Sequence, residues 1–338
     1  MNNNKFSSIP PLLENGHTIT DPTQKSELFN KHFASKSTVP NSGDDVPLLP
    51  EKPHIPSFDQ INTSPIELSK IVRNNLKKSH SSYCGIPGKF LSLIATPISF
   101  SMSRLFNNLF EVGHFPDMWK LSHVTSIFKR KGLKNDKVNY RPISLLPTLS
   151  KLCESVIHNR LLSHCLENNI ISKRQAAYLR GDSVTNQLLN IVHKIKKSWT
   201  VNKFTHGVFL DIDGAFDKVW HSAMIAKLDQ INIKGNLLKL FQSYLTNRKQ
   251  IVVVDGMKSN VTDIKAGIPQ GSKLGPLLFI IYINDITEID LESEIFIFAD
   301  DCSLLVSDIS PEKTIEILSR DLDKISKWAS KWKITFSA

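Results

Sequence analysis

Two groups of carboxylates interrupt an otherwise basic chain. Asp300 and Asp301 are adjacent in Phe298-Ala299-Asp300-Asp301, between two apolar runs that read as strands. Asp211 closes the apolar run 207–212 (GVFLDI), with Asp213 and Asp217 just beyond it. Each group alone has an ordinary explanation, because aspartate is a common turn residue and acids at strand ends are usually solvated. Two adjacent like charges repel, however, and a plain turn does not require both. A divalent cation offsets that repulsion. Mg²⁺ prefers hard oxygen ligands and usually takes one or two carboxylates together with substrate phosphates. If the two strands are neighbours in one sheet, Asp211 and the 300/301 pair converge on two cations. Paired cations stabilise the attacking and leaving oxygens of a phosphoryl displacement. Such a displacement needs positioning and charge neutralisation more than a protein nucleophile. Asp211 and Asp213, two apart on a strand, share one face, and Asp217 reads as a cap for the next helix.

The surrounding charge fits a polyanionic partner. The 338 residues include 42 Lys+Arg and 32 Asp+Glu, net +10. Residues 1–204 hold 27 basic and 14 acidic side chains (net +13), and residues 205–338 hold 15 and 18 (net −3). The densest basic stretch carries Lys129, Arg130, Lys131, Lys134, Lys137 and Arg141 against Asp136 alone. Lys134 and Lys137 read as solvated loop residues. Basic surfaces also meet anionic lipid, so charge alone does not choose the partner. The start, MNNNKFSSIP, lacks the apolar stretch of a signal peptide. The longest apolar run, 274–283, falls short of the ~20 residues a spanning helix needs. Cys84, Cys153, Cys165 and Cys302 are scattered without CxxC, which fits a reducing compartment. On these grounds a secreted, membrane-integral or disulfide-stapled protein is not expected.

Length allows roughly two domains. Five prolines between 40 and 56 mark a linker with little helix or strand, preceded by one helix over 21–33 capped by Asp21. Helices are expected at 64–78 (cap Ser64), 97–112, 150–166, from Ser183, at 221–230, 235–246, 276–286 and 311–331. A Ser-rich loop is expected at 79–88. Strands are expected at 207–212, 249–254 with a turn at Asp255-Gly256, 294–298, 303–306, and from about Lys333. This is an α+β pattern, with the sheet expected to be antiparallel.

These residues occur within an ordered series of blocks that resembles the reverse transcriptase of non-long-terminal-repeat, LINE-type retrotransposons, most closely the jockey-like elements. The blocks are Tyr83-Cys84-Gly85-Ile86-Pro87; Trp119-Lys120, Ile127-Phe128-Lys129 and Asn139 to Leu146 (NYRPISLL); 172–183 with Gln187-Leu188; LDIDGAFDKVWH at 210–221; AGIPQGSKLGPLLF at 266–279; YIND at 282–285; and FADD. One four-letter motif would be weak, whereas the ordered series is specific. The resemblance implies the right-hand polymerase fold, with fingers at 64–204, a palm with an antiparallel sheet at 205–338, and an N-terminal extension and Pro-rich linker at 1–63. It implies Mg²⁺-dependent (or Mn²⁺-dependent) extension of a DNA primer on an RNA template from dNTPs, inside the cell in nucleus or cytoplasm. By motif position, Asp211, Asp300 and Asp301 are the catalytic aspartates. Asp211 and Asp300 are the principal metal ligands, with the Ile212 carbonyl contributing and Asp301 acting more indirectly. Arg141 is the triphosphate contact and Lys129 a second triphosphate or template contact. Phe216 is the aromatic gate under the incoming sugar, with a core phenylalanine as its alternative. Gln270 and Gly271 form the loop against the templating base and nascent pair.

The family commonly carries Asn and then Lys after the WxxxWK helix end, here Trp328 to Lys333. The Asn is not found, and the Lys and a following thumb would lie past Ala338, so the resemblance is to a C-terminally truncated chain. Three alternatives remain at this level. The chain could be a catalytically idle remnant that only binds nucleic acid, a group II intron-type reverse transcriptase, or a metal-dependent nuclease with clustered acids.

Overall fold

The computed structural model describes residues 9–40, 43, 45–76, 83, 85–179 and 181–337. Residues 77–82, Cys84 and Arg180 lie outside that set, so most of the expected Ser-rich loop is not addressed.

The first part of the chain forms a hairpin, β1 (Leu12–Glu14) and β2 (His17–Ile19), then helix α1 (Pro22–Lys36). It continues through α2 (Pro65–Asn75), α3 (Gly88–Leu93), α4 (Ala95–Val112), strands β3 (Leu121–Phe128) and β4 (Tyr140–Leu145), and helices α5 (Thr148–Glu167) and α6 (Val184–Thr200). The second part runs β5 (Phe204–Asp211), α7 (His221–Gln230), α8 (Gly235–Leu245), β6 (Arg248–Val254), β7 (Met257–Lys258) and β8 (Thr262–Ile264). It ends with α9 (Gly275–Ile283), β9 (Glu294–Phe298), β10 (Asp301–Asp308) and α10 (Pro311–Lys331). Several helices start where the sequence signals them. Asp21, Ser64, Ser183 and Ser310 each accept a backbone N–H three residues on, at 2.8–3.2 Å, which satisfies a donor the helix cannot.

Two sheets organise the molecule. The first has the order β5-β10-β9 and is antiparallel throughout. α10 packs against β5 and β10, with a 2.5 Å hydrogen bond between His206 and Thr314. The second has the order β4-β3-β6-β7, with β8 also on β6. Here β3 and β6 run parallel, so the expectation of an antiparallel sheet holds for the first sheet and is corrected for the second. β3 and β6 are more than 100 residues apart and joined through helices, so no hairpin constrains their direction. β6 to β8 belong to this second sheet although they follow residue 204, so the boundary drawn from charge does not separate the sheets.

The segment before residue 64 is also more than a linker. Residues 45–64 carry no helix or strand but dock on the turn between α7 and α8 through Phe58 N to Asn232 O (2.8 Å), Lys234 N to Phe58 O (3.0 Å) and Asn232 Nδ2 to Ile55 O (2.6 Å). α1 packs on the second sheet, where Phe29 and Phe33 join Leu12, Val124, Tyr140, Val252 and Val254 in a separate small core. Proline spacing reports local stiffness and is silent about this docking.

The apolar run 274–283 becomes α9, buried on every side, as a helix without a polar face must be. Among the described residues no helix is long and apolar enough to cross a membrane. A buried cation ties α9 to its neighbours. Lys227 on α7 donates to the Tyr282 carbonyl, pairs with Asp285 at 2.8 Å and lies 3.8 Å from the Trp332 ring centroid. Trp328 Nε1 donates to the same Asp285 oxygen at 3.1 Å. Burial pulls the Lys227 ammonium down to about 8, against the opposing pull of Asp285. A folded-state value below the unfolded one means that Lys227's favourable contribution is present above 10.5 and is lost as pH falls through about 8. Lys227→Met is therefore expected to flatten the rise in stability between pH 8 and 10.5. Urea midpoints across that range check this, and an unchanged slope would contradict a dehydrated ammonium.

Candidate active site

β5 and β10 bring the two carboxylate groups to one end of the three-stranded sheet. Their register pairs Asp301 with Asp211, Cys302 with Leu210 and Ser303 with Phe209. Alternation puts Cys302, Leu304 and Val306 on the buried side and leaves Asp211 and Asp301 exposed on the other. Asp300 sits in the two-residue turn between β9 and β10, after Ala299 in the left-handed region at φ +54°. Burial raises the Asp300 carboxyl above the usual range. Asp301 and Asp211 push it further up, and the Arg141 guanidinium opposes them. All four groups therefore share one electrostatic neighbourhood.

The turn is held from outside the sheet. Residues 174–176 lie along the free edge of β9, with Ile297 N donating to Arg174 O and Ala176 N to Ile297 O, both 3.0 Å. Gln175, almost fully buried, accepts from Ala299 N at 2.9 Å and from Ala177 N at 3.0 Å through one oxygen. Sequence reasoning did not single out Gln175. Its only signal was membership in the block at 172–183. On the other flank, Ile212 is buried and bridges Phe336. Ser337 N donates to Asp211 O at 2.8 Å, and Ser337 Oγ lies 3.1 Å from Asp211 Oδ2. The short strand expected from about Lys333 is thus reduced to an isolated bridge at Phe336.

Asp213 and Asp217 do not join these acids. Asp213 pairs with Lys218 at 2.5 Å. Asp217 does not cap α7, whose first residue is His221; its Oδ1 instead accepts from Gln270 Nε2 at 2.9 Å. Burial raises the Asp217 carboxyl, and the Gln270 bond opposes this. Gln270 and Gly271 lie against β4: Ser144 N donates to Gln270 O at 2.7 Å, and a Cβ on Gly271 would stand 2.7 Å from Ser144 O at φ +113°. Only glycine fits there without moving the strand. The loop is anchored behind by Glu154, a wholly buried acid missed by sequence reading, which accepts from Lys273 N at 2.7 Å and Leu274 N at 3.3 Å. Phe216 is half-buried and stacks on Phe279 with ring centroids 5.1 Å apart. Arg141 on β4 and Lys129 just past β3 are both exposed, with Lys129 N donating to Asn139 O at 2.8 Å.

Among the described residues, no group of three or more Asp, Glu, His or Cys side chains forms a ready-made metal cage. The donors are carboxylate oxygens at the end of two neighbouring strands and in the adjoining turn, a set that fits a hard cation completed by water and substrate oxygens.

Comparison with known proteins was decisive on kinship. The family described as reverse transcriptase (RNA-dependent DNA polymerase) matches residues 130–338. The chain belongs to the reverse transcriptase family. Its relatives include the RNA-directed DNA polymerase from mobile element jockey of Drosophila melanogaster, 34% identical over 244 residues (70% of this chain, 26% of that protein). The jockey polymerase of Drosophila funebris is 32% identical over 241 residues (69% and 26%). The probable RNA-directed DNA polymerase from transposon BS of Drosophila melanogaster is 30% identical over 348 residues (97% and 37%). The jockey-like resemblance is thus borne out. The chain spans 26% to 37% of the length of these relatives. Of the candidate residues, Arg141 to Asp301 fall within the reverse transcriptase match, and Lys129 lies one position before it.

Gln175 offers a direct test of how the turn is held. Gln175→Leu removes the shared acceptor and leaves two buried N–H groups unpaired, at about 1–3 kcal/mol each. Amide exchange at Ala177 and Ala299 is expected to accelerate, while Gln175→Glu, which keeps the acceptor, should retain protection. Equal protection in the Leu variant would show that the turn holds itself.

Proposed function

We propose that this chain is the catalytic region of an RNA-directed DNA polymerase of a jockey-like mobile element. In this reading it joins dNTPs to a DNA primer on an RNA template. The observation that carries the reading is the pairing of Asp211 with Asp301 across neighbouring strands, with Asp300 in the adjoining turn and Arg141 in their field. The three-stranded sheet with α9 and α10 is the palm. The five-stranded sheet is the fingers, which take residues 248–264 from the second part of the chain and are braced by α1.

The primer 3′ oxygen attacks the α-phosphorus, a P–O bond forms, the α–β bond breaks and pyrophosphate leaves. Mg²⁺ bound at Asp211, Asp300, Asp301 and the Ile212 carbonyl would stabilise the attacking and leaving oxygens, with Mn²⁺ as substitute. Arg141 binds the triphosphate through its planar fork and Lys129 adds a second cation. Phe216, braced by Phe279, limits room beside the sugar. Gln270 and Gly271, seated on Ser144, shape the floor under the nascent pair. Such an enzyme works inside the cell, in nucleus or cytoplasm, wherever its RNA template is.

The purified chain is expected to incorporate dNTPs on a primed RNA template with Mg²⁺, to stop when a chelator removes the ion, and to lose incorporation in Asp300→Asn with primer–template binding retained. Binding without incorporation under either Mg²⁺ or Mn²⁺ would leave a nucleic-acid-binding remnant instead. Phe216→Ala is expected to admit ribonucleotides, read as the ratio of kcat/KM for dNTP over rNTP. An unchanged ratio removes the gate assignment.

A further inference from the structure

The last turn of α1 faces the same site from a segment with no assigned part in it. α1 is fixed rather than tethered. Asn30 Nδ2 donates to Asn260 O and Thr262 Oγ1, both at 2.8 Å, and Gln250 Nε2 donates to Asn30 Oδ1 at 2.9 Å. Phe29 stacks edge-on against Tyr140 at 5.0 Å. The end of the helix therefore has a defined position. There, Phe33 and Ser37 help to wall a small cavity of about 40 Å³ shared with Pro142, Ser144, Asp217 and Gln270. Those last four residues neighbour or belong to the proposed nucleotide-binding set. Lys36 lies between Phe33 and Ser37 in sequence.

We propose that Lys36 is a phosphate-binding residue of this cleft, contributed by the N-terminal helix. The proposal rests on the polymerase reading for the identity of the phosphate. Its physical basis is the placement of the α1 C-terminus, where Phe33 and Ser37, three residues before and one after Lys36, wall a cavity with Ser144, Asp217 and Gln270, together with the charge around Lys36. The side chain is half-buried, and its charged neighbours are Lys129 and Lys218 on one side of the balance and Asp217 and Asp213 on the other. Both acids are already engaged, Asp213 by Lys218 at 2.5 Å and Asp217 by Gln270 at 2.9 Å. No ion pair among the described residues involves Lys36. Burial, and then Lys129, hold its ammonium below the ordinary lysine range.

One turn earlier, His32 presents a buried Nε2 without a hydrogen-bond partner. Burial, Lys36, Lys137 and Lys129 bring that imidazole down to about 4, so it is neutral near pH 7 and adds no further repulsion. A solvated surface lysine would escape such a position, because its stem is long and flexible. Holding it half-dehydrated beside Lys129 is unfavourable unless an anion arrives. Phosphate is the anion such a cleft receives, and the C-terminal helix end supports the cation meanwhile.

The phosphate has two sources, the triphosphate of the incoming nucleotide and the backbone of the template strand. Full-length wild-type chain, Lys36→Met and Lys36→Arg separate them. If the backbone is bound, Lys36→Met weakens primer–template binding about three- to tenfold and lowers the salt slope by about 0.7–0.9, leaving KM for dNTP unchanged. If the triphosphate is bound, KM rises several-fold with kcat within twofold and primer–template affinity unchanged. Lys36→Arg restores most of either loss. The proposal is overturned if Lys36→Met matches wild type in both measurements. It is also overturned if its losses track a lowered urea midpoint and persist in Lys36→Arg. A wild-type chain that binds primer–template without incorporating would defeat the polymerase reading separately. The nucleotide arm is then read from binding of a labelled dNTP with Mg²⁺ to the primer–template complex.

Discussion

The register of β5 against β10 sets two carboxylates opposite one another, and like charges in that position destabilise a strand pair. The rest of the sheet must hold that register against the repulsion. It does so with a buried face of Cys302, Leu304 and Val306, which a one-residue slip would turn outward. It also uses a short turn whose first residue is fixed by Gln175 and a second flank closed by residues 335–337. Acids brought together in this way, with Asp300 pushed above its usual range beside them, favour the approach of cations and, through those, of phosphate.

The two sheets divide the electrostatic work. The three-stranded sheet presents acids at the end of β5 and β10, while Arg141 on β4 and Lys129 just past β3 carry exposed cations, Arg141 within the field of Asp300. The loop at 267–274 is tied to β4 through Ser144, to Asp217 through Gln270, and to α5 through Glu154. A single loop thus ties β4 to the segment that follows β5, and its glycine contact with Ser144 leaves no space for a side chain. α1 closes the far side, so the segment that reads as an extension becomes a wall of the same cleft.

Much of this was legible from local patterns. Asp21, Ser64 and Ser183 announced their helices because a cap is a property of a few adjacent residues. Glu294–Phe298 and Pro311–Lys331 were read at their observed bounds from apolar runs and helical period. β3 and β4 were not read as strands, because their alternation is mixed with Ser, Thr and His, and their pairing partners are far away in sequence.

By itself the sequence determined the chemistry available: which acids, cations and aromatic groups occur, in which order, and hence the kinship. It determined local elements too, because propensity and capping act over a few residues. Only the tertiary structure decided that Asp211 meets Asp301, that β3 runs parallel to β6, that Asp217 serves Gln270 rather than a helix, and that the end of α1 walls a cavity shared with Gln270. Those are contacts between segments tens to hundreds of residues apart. They are fixed by burying two sheets against shared helices, a constraint no local window contains.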